Sequence, residues 1–200
     1  MGGSDKVKSK LMSVLISLNQ NTREEILQMA KNTSIELLEE RRSLHDILQT
    51  CKNICKLLEV SEENTWIDLE LNGYLVKFKT REELYDNLPA YRKTIWKFYD
   101  LYGNTIVLPP DIIDLFGKSI VYQSVTDLEN NDHLTFGSQY LEKFNKFILE
   151  HGTDYASKNV KIHEAKISKL EIIQVLEGVK KRIQELLDII ITLLEFELAS

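Results

Sequence analysis

The segment from Ile172 to Leu193 constrains the fold more than any other part of the chain. Ile172, Leu176, Val179, Ile183, Leu186, Ile190 and Leu193 recur at a 4-3-4-3 spacing without a break. Such a heptad seam, about three heptads long, calls for one long helix with an apolar surface laid along it. The spacing predicts a helix from Lys169 to about Glu197, opened by a capping box at Ser168 and Glu171. Beyond Leu186 a second stripe joins the first, at Leu187, Ile191, Leu194 and Leu198. Only Asp188, Thr192 and Glu195 stay polar there, along one narrow face. A helix apolar on most of its circumference is covered on several sides. A monomer rarely leaves so large a patch open, so Leu187, Ile191, Leu194 and Leu198 are candidate interface residues toward a second subunit or a partner. The competing reading packs Leu141 to Ile148 against that end and leaves a monomer. The uninterrupted apolar run falls far short of the ~18 residues of a membrane span.

Shorter helices precede it. Leu11, Val14, Leu15 and Leu18 form a stripe, and Thr22 with Glu25 reads as a capping box for Ile26, Met29, Ala30, Thr33 and Leu37. Ser43 opens the next helix, whose stripe is Leu44, Ile47, Leu48, Cys51, Ile54, Cys55 and Leu58. Both cysteines of the chain lie on that stripe, with no Cys or His partner at ligand spacing. They read as small core residues, reduced and without metal. Ser61 is the expected cap of a helix carrying Trp66, Leu69 and Leu71, and Gly73 is its expected stop, in a positive-φ conformation.

The period then changes. Thr80 to Leu88 reads as a polar loop or a single helical turn. Lys93 to Tyr99 alternates like a strand, Gly103-Asn104 marks a turn, and Thr105 to Leu108 is a second strand, so Tyr91 to Leu108 is a predicted β-hairpin. Asp111 to Phe116 is a short helix closed by Gly117, and another helix is expected within Ser119 to Glu129, around Gln123 to Glu129. His133 to Phe136 is extended. Ser138 opens a helix with the stripe Leu141, Phe144, Phe147 and Ile148, and Asn159 to Ile167 is one more strand. The fold class is therefore mostly α (α+β): a helical bundle with a long C-terminal helix and a small β-hairpin or sheet in the middle.

Composition bounds the function. The net charge of −6 argues against a general grip on nucleic acid, although a local basic patch stays open. Met1 to Ser4 reads as an expression scar, no signal peptide follows it, and the cysteine pattern suits a reducing compartment, the cytoplasm by default. His45, His133, His151 and His163 stand in unrelated contexts, with no phosphate loop, dinucleotide motif or nucleophile elbow. The pairs Asp111/Asp114 and Glu62/Glu63 are explained as helix-start charges. No cofactor and no metal are expected. The best polar cluster is Tyr91 and Arg92 with Glu70 and Asn72, read either as an anion or partner site or as an arginine–carboxylate brace across a helix-to-hairpin joint.

Trp66, Glu70-Leu71-Asn72-Gly73-Tyr74 and Leu88-Pro89-x-Tyr91-Arg92 resemble the signature of the AbiTii domain. The order of Val107-Leu108-Pro109, of Gln123-Ser124-Val125 with Leu128-Glu129, and of the tail from Val179 to Glu197 is similar too. The stretch Val76 to Asn87 is longer and more charged than the family pattern. The resemblance covers roughly Leu37 to Leu198, and one AbiTii-like domain is expected over residues 5–198: a helical half at about 5–72, a hairpin region at about 74–108 and C-terminal helices at about 111–198. It also implies a component of a bacterial abortive-infection, anti-phage system. No catalytic residue comes with it. Two readings follow: an α-rich interaction or oligomerisation module, working as a homo-oligomer or with a co-encoded defence protein, and a nuclease-like toxin whose site is hidden in ordinary composition.

Overall fold

The structure, a computed structural model, describes residues 11–108, 118–135, 137–151 and 161–199. Met1 to Ser4, the helix expected at Asp111 to Phe116 with its expected stop at Gly117, Phe136, and the stretch from 159 to 160 lie outside the described residues. The described parts of Met1–Lys79, Gln123–Glu129 and Leu176–Ser200 gather into one compact unit, and those of Thr80–Tyr122 and Asn130–Val175 into a second.

The first unit is helical. Residues 11–17 form helix α1, which buries Leu11 and Leu15. Helix α2 is Gln20–Leu38. Its cap is Asn19 rather than Thr22, which sits inside the first turn and donates its amide to Asn19 Oδ1 at 2.9 Å. An asparagine three residues earlier satisfies the same orphan amide, and the helix extends back to it. Helix α3, Leu44–Leu57, is capped by Ser43, which accepts from the Asp46 amide at 3.1 Å. Its buried residues are those of the predicted stripe, with both cysteines among them and both free.

Helices α2 and α3 end alike. Glu40 (φ 51°) and Glu59 (φ 53°) take left-handed backbone. The amides of Arg41 and Val60 then reach back to the carbonyls of Glu36 at 3.1 Å and Cys55 at 2.9 Å. Both are Schellman stops with glutamate where glycine is usual. Val60, the last residue of the second stop, also precedes helix α4, Ser61–Asn72, and serves as its N-cap without a side-chain bond. Ser61 is thus drawn into the first turn and does not cap, because α3 and α4 join with no spare residue between them.

The second unit begins with helix α5, Arg81–Asn87, closed by a full capping box at Thr80 and Glu83. The charged stretch that sequence reading leaves as loop or turn is therefore a true short helix. A 3-10 turn, Ala90–Arg92, leads into strand β1, Lys93–Ile95. The alternating run breaks at Trp96 and resumes as β2, Lys97–Tyr99. Strand β3, Thr105–Ile106, closes a hairpin on β2, pairing Phe98 with Ile106 and Tyr99 with Thr105. β1 pairs instead with β4, Lys118–Ile120, in a two-stranded ribbon. The predicted single hairpin is thus two pairings that share one alternating run. The helix expected around Gln123 to Glu129 is present as Val125–Glu129; this is α6, and it belongs to the first unit.

Strand β5 is Leu134–Thr135, helix α7 is Ser138–His151 and strand β6 is Glu164–Ile167. The four-stranded antiparallel sheet has the order β3-β2-β6-β5. Its inner face carries Phe98 and Ala165, which pack with Leu108, Ile162, Phe144 and Ile148. Phe98 and Phe144 stack with ring centroids 5.2 Å apart. Phe144 and Ile148 of the α7 stripe thus belong to the core of the sheet. Asn145 of α7 extends the ladder, exchanging two 2.8 Å bonds with the backbone of Ile162.

Helix α8, Lys169–Ala199, has 31 residues, about 46 Å at 1.5 Å per residue. Its start lies in the second unit and its larger part in the first. There Val179, Ile183, Leu186, Leu187, Ile190 and Leu194 are buried. Polar clasps flank them: Lys180 to Glu40 at 2.6 Å, Gln184 to Ser34 at 2.9 Å, and Lys31 to Glu195 at 2.7 Å. No described helix is long and apolar enough to cross a membrane.

Candidate functional site

The helix stop at Gly73 organises a candidate cluster within the first unit. Gly73 has φ 79° and ψ 157°. This is not the left-handed helical conformation expected of a C-terminal glycine; it is an extended positive-φ region that only glycine occupies readily. The turn brings Tyr74 back beneath α4. Trp66 and Glu70 stand one helical turn apart on the inner side of that helix, so three side chains meet. Glu70 Oε1 accepts from Trp66 Nε1 at 3.1 Å and from the Tyr74 hydroxyl at 2.7 Å. Glu70 is fully buried, and Trp66 and Tyr74 nearly so. Above the Trp66 ring lies the guanidinium of Arg182 from α8, 4.1 Å from the centroid, and it in turn stands 3.4 Å from Glu63. Asn72 takes no part: it is exposed and donates to the Asp68 carbonyl of its own helix at 2.8 Å.

The second unit holds a separate cluster, the clasp at Arg92. Pro89 holds φ −56° and starts the 3-10 turn, and the Arg92 amide donates to the Pro89 carbonyl at 3.0 Å. Leu88 is buried and Tyr91 half-buried. Arg92 is fully buried. Its Nη1 donates to the Val121 carbonyl at 2.7 Å, while its own carbonyl accepts from the Val121 amide at 2.9 Å. One residue thus grips Val121 from both sides and fixes the end of the β1–β4 ribbon. A buried guanidinium must be matched by acceptors, since an unmatched one costs several kcal/mol.

Chemistry at the cysteines is suppressed. Burial pushes the Cys51 thiol up to about 12 and raises Cys55 further, so neither is a thiolate near neutrality. Among the described residues no three His, Cys, Asp or Glu side chains gather as metal ligands do. The predicted interface residues separate into two kinds. Leu187 and Leu194 are fully buried within the single chain, whereas Ile191 and Leu198 are half-buried, and Asp188, Thr192 and Glu195 are exposed.

Two residues escape reading by period. Arg182 carries no local signal for its place over Trp66, 116 positions earlier in the chain. Glu129 Oε1 accepts the backbone amide of Leu44, 85 positions away, at 2.7 Å. It thereby supplies a charge at the start of α3, where the helix dipole favours one. Glu129, at the end of the Gln123 to Glu129 pattern, thus braces α3.

No curated protein and no solved structure matches the chain. The sequence matches the AbiTii family over residues 33–193, a stretch that contains Trp66, Glu70, Gly73, Tyr74, Pro89, Arg92 and Glu129. These matched residues are the ones that set the helix stop, the Val121 clasp and the α3 brace, and the chain belongs to the AbiTii family of abortive-infection proteins.

Proposed function

We propose that this AbiTii chain serves abortive infection as an interaction module, an α-rich body that associates with a second copy or with a co-encoded defence protein. The working surface is the outer flank at the end of α8. One observation carries this reading: Phe196 is 63% exposed on that helix, with Ile191 and Leu198 only half covered nearby. The buried Leu187 and Leu194 serve the chain's own core and only support that surface. Aromatic side chains are enriched where proteins meet.

The test is the double variant Ile191→Glu, Phe196→Glu, which leaves the fully buried positions of α8 untouched. Light scattering should show the wild type larger than one chain at tens of micromolar and the variant at monomer mass with an unchanged circular dichroism spectrum. Phage protection in an infected host should fall with it. A wild type that is monomeric and unbound, or a monomeric variant that still protects fully, overturns the reading.

A further inference from the structure

The last half of α8 breaks a local rule. From Ile183 to Ala199 it carries Glu185, Asp188, Glu195 and Glu197 and no lysine or arginine. A helix gathers negative charge toward its C-terminal end, where cations are favoured and carboxylates are not. The chain answers only the later two acids. Lys31 reaches Glu195 at 2.7 Å, and Arg23 stands 4.0 Å from Glu197. Glu185 and Asp188 are exposed and pair with no cation among the described residues; the Asp188 carboxylate accepts from the neutral Gln184 amide at 2.7 Å. An apolar line runs beside them. Ile189, Leu193 and Phe196 share one side of the helix at spacings of four and three. Ile189 and Leu193 are half-buried and Phe196 is exposed.

The first unit carries the opposite pattern just after α4. The 3-10 turn Tyr74–Val76 buries Tyr74 and leaves Leu75 and Val76 exposed, at 44% and 60%. Lys77 follows, also exposed, with its ammonium 5.5 Å from the Phe78 ring centroid and no carboxylate partner among the described residues. Each patch thus joins open apolar side chains to uncompensated charge of one sign, and the two signs differ.

We infer that these two patches meet between copies of the chain. Glu185, Asp188 and the line from Ile189 to Phe196 on one copy dock on Leu75, Val76 and Lys77 of a second, and the contact is returned across a two-fold axis. The inference rests on the reading of the α8 flank as the working surface and names what covers it. In a two-fold contact residue i meets j and j meets i, so two unlike patches on one chain complement each other twice. The α8 face set against itself would bring like charges together, which a stable contact avoids. Nucleic acid and anionic lipid are repelled by the same acids.

Sedimentation of the full chain at about 0.1 M salt, where such pairs are only partly screened, tests this. The wild type should dimerise. The double variant Glu185→Lys, Asp188→Lys and, separately, Lys77→Glu should each weaken self-association about tenfold or more, because attractions become repulsions. All three positions are exposed, so the circular dichroism spectrum should not change in either variant. Mixing the two variants is the decisive measurement. In the mixed dimer the reversed α8 face of one chain meets the reversed position 77 of the other, and the two unreversed patches meet as in the wild type. Most of the lost affinity should therefore return on mixing. Variants that are weakened alone and stay so when mixed overturn the inference. So does a wild type that is monomeric at tens of micromolar. Self-association that is lost in Ile191→Glu, Phe196→Glu but untouched by Lys77→Glu also overturns it, while leaving the α8 flank as the working surface.

Discussion

The two units are made from different side chains and held by different kinds of contact. Of the 17 aromatic residues, only Trp66, Tyr74, Phe78 and Phe196 belong to the helical unit. Its core is aliphatic and built on stripes three and four residues apart. The second unit packs Phe98 on Phe144 and joins strands distant in sequence, such as Tyr99 to Glu164. Order in the first unit is therefore set over single helical turns, and order in the second by pairings across long stretches of chain. The first should withstand loss of remote contacts and fail at its helix stops and buried polar groups. The second should be sensitive to its surface electrostatics.

The largest expected effect breaks the first unit at Glu70. Glu70→Ala leaves the Trp66 indole N–H and the Tyr74 hydroxyl without their acceptor and opens a cavity. Each orphaned donor costs about 1–3 kcal/mol, so the total should reach about 3–5 kcal/mol by denaturant unfolding. Asn72→Ala, two residues along the same helix but exposed, should stay within about 0.5 kcal/mol. Similar costs at the two positions would show that the signature does not divide as the geometry divides it.

Next comes Gly73. With φ 79° and ψ 157° it lies where a β-branched residue is strongly disfavoured. Gly73→Val should cost about 2–3 kcal/mol and disturb the packing of Tyr74, visible as a shift in near-ultraviolet circular dichroism. An unchanged melting temperature would refute the role given to this backbone.

These two sites show where sequence reading reaches and where it stops. The α3 stripe, the Gly73 stop and the long helix are legible because each depends on neighbours within four or five residues. Asn19 displaced Thr22 as a cap, and Ser61 lost its cap role, because competing acceptors within one turn decide by small margins. The split of Lys93–Tyr99 at Trp96 was not legible: both halves alternate correctly, and only the distant partners β4 and β6 separate them. Of the candidate polar cluster, Glu70 and Arg92 are buried and Tyr91 is half-buried, which the motif alone did not say, while Asn72 faces water because its position on α4 points outward. Leu187 and Leu194 look the same as Ile191 and Leu198 in a helical pattern, and only the neighbouring helices distinguish covered from open.

Acid should separate the units. In the second, hydrogen bonds from Asn104 hold the Asp100 carboxyl below its ordinary 3.8, and the bond from Lys169 does so for Asp132. At Glu171 burial works upward, but the bonds from Lys97 and Ser168 outweigh it and leave the carboxyl below its ordinary 4.5. In the first unit, Glu40 is lowered by its bond to Lys180. A carboxyl lowered by folding adds stability above its ordinary value and loses it as pH falls through the folded value. From about pH 4.5 downward, hydrogen exchange should therefore rise earlier in the β2–β6 ladder than in the middle of α3. On the alkaline side Lys97, raised by its bond to Glu171, keeps its contribution until pH passes above its ordinary 10.5. Simultaneous acid loosening of both units would show that these carboxylates do not set the order.

The smallest effect is also the most direct comparison, because positive φ occurs in both units, at glutamate in one and at glycine in the other. Glu59 closes α3 at φ 53°, and Gly103 turns the β2–β3 hairpin at φ 80°. A side chain in left-handed backbone carries a penalty of about 1–2 kcal/mol, offset in part by the lower chain entropy of the unfolded non-glycine residue. Glu59→Gly should therefore stabilise by about 0.5–1 kcal/mol, which for a chain of this size raises the melting temperature by roughly 2 °C. Glu40→Gly should gain less, because Glu40 accepts from Lys180 at 2.6 Å and that bond is lost with the side chain. Gly103→Ala should lose about what Glu59→Gly gains. A methyl group at Gly103 meets nothing within 4 Å, so its cost is conformational and not steric. Opposite signs at the two sites would establish that helical and sheet units respond to the same local backbone rule. A destabilising Glu59→Gly would mean that the Glu59 side chain contributes more than its backbone costs, and would remove the Schellman stop as the reason α3 ends where it does.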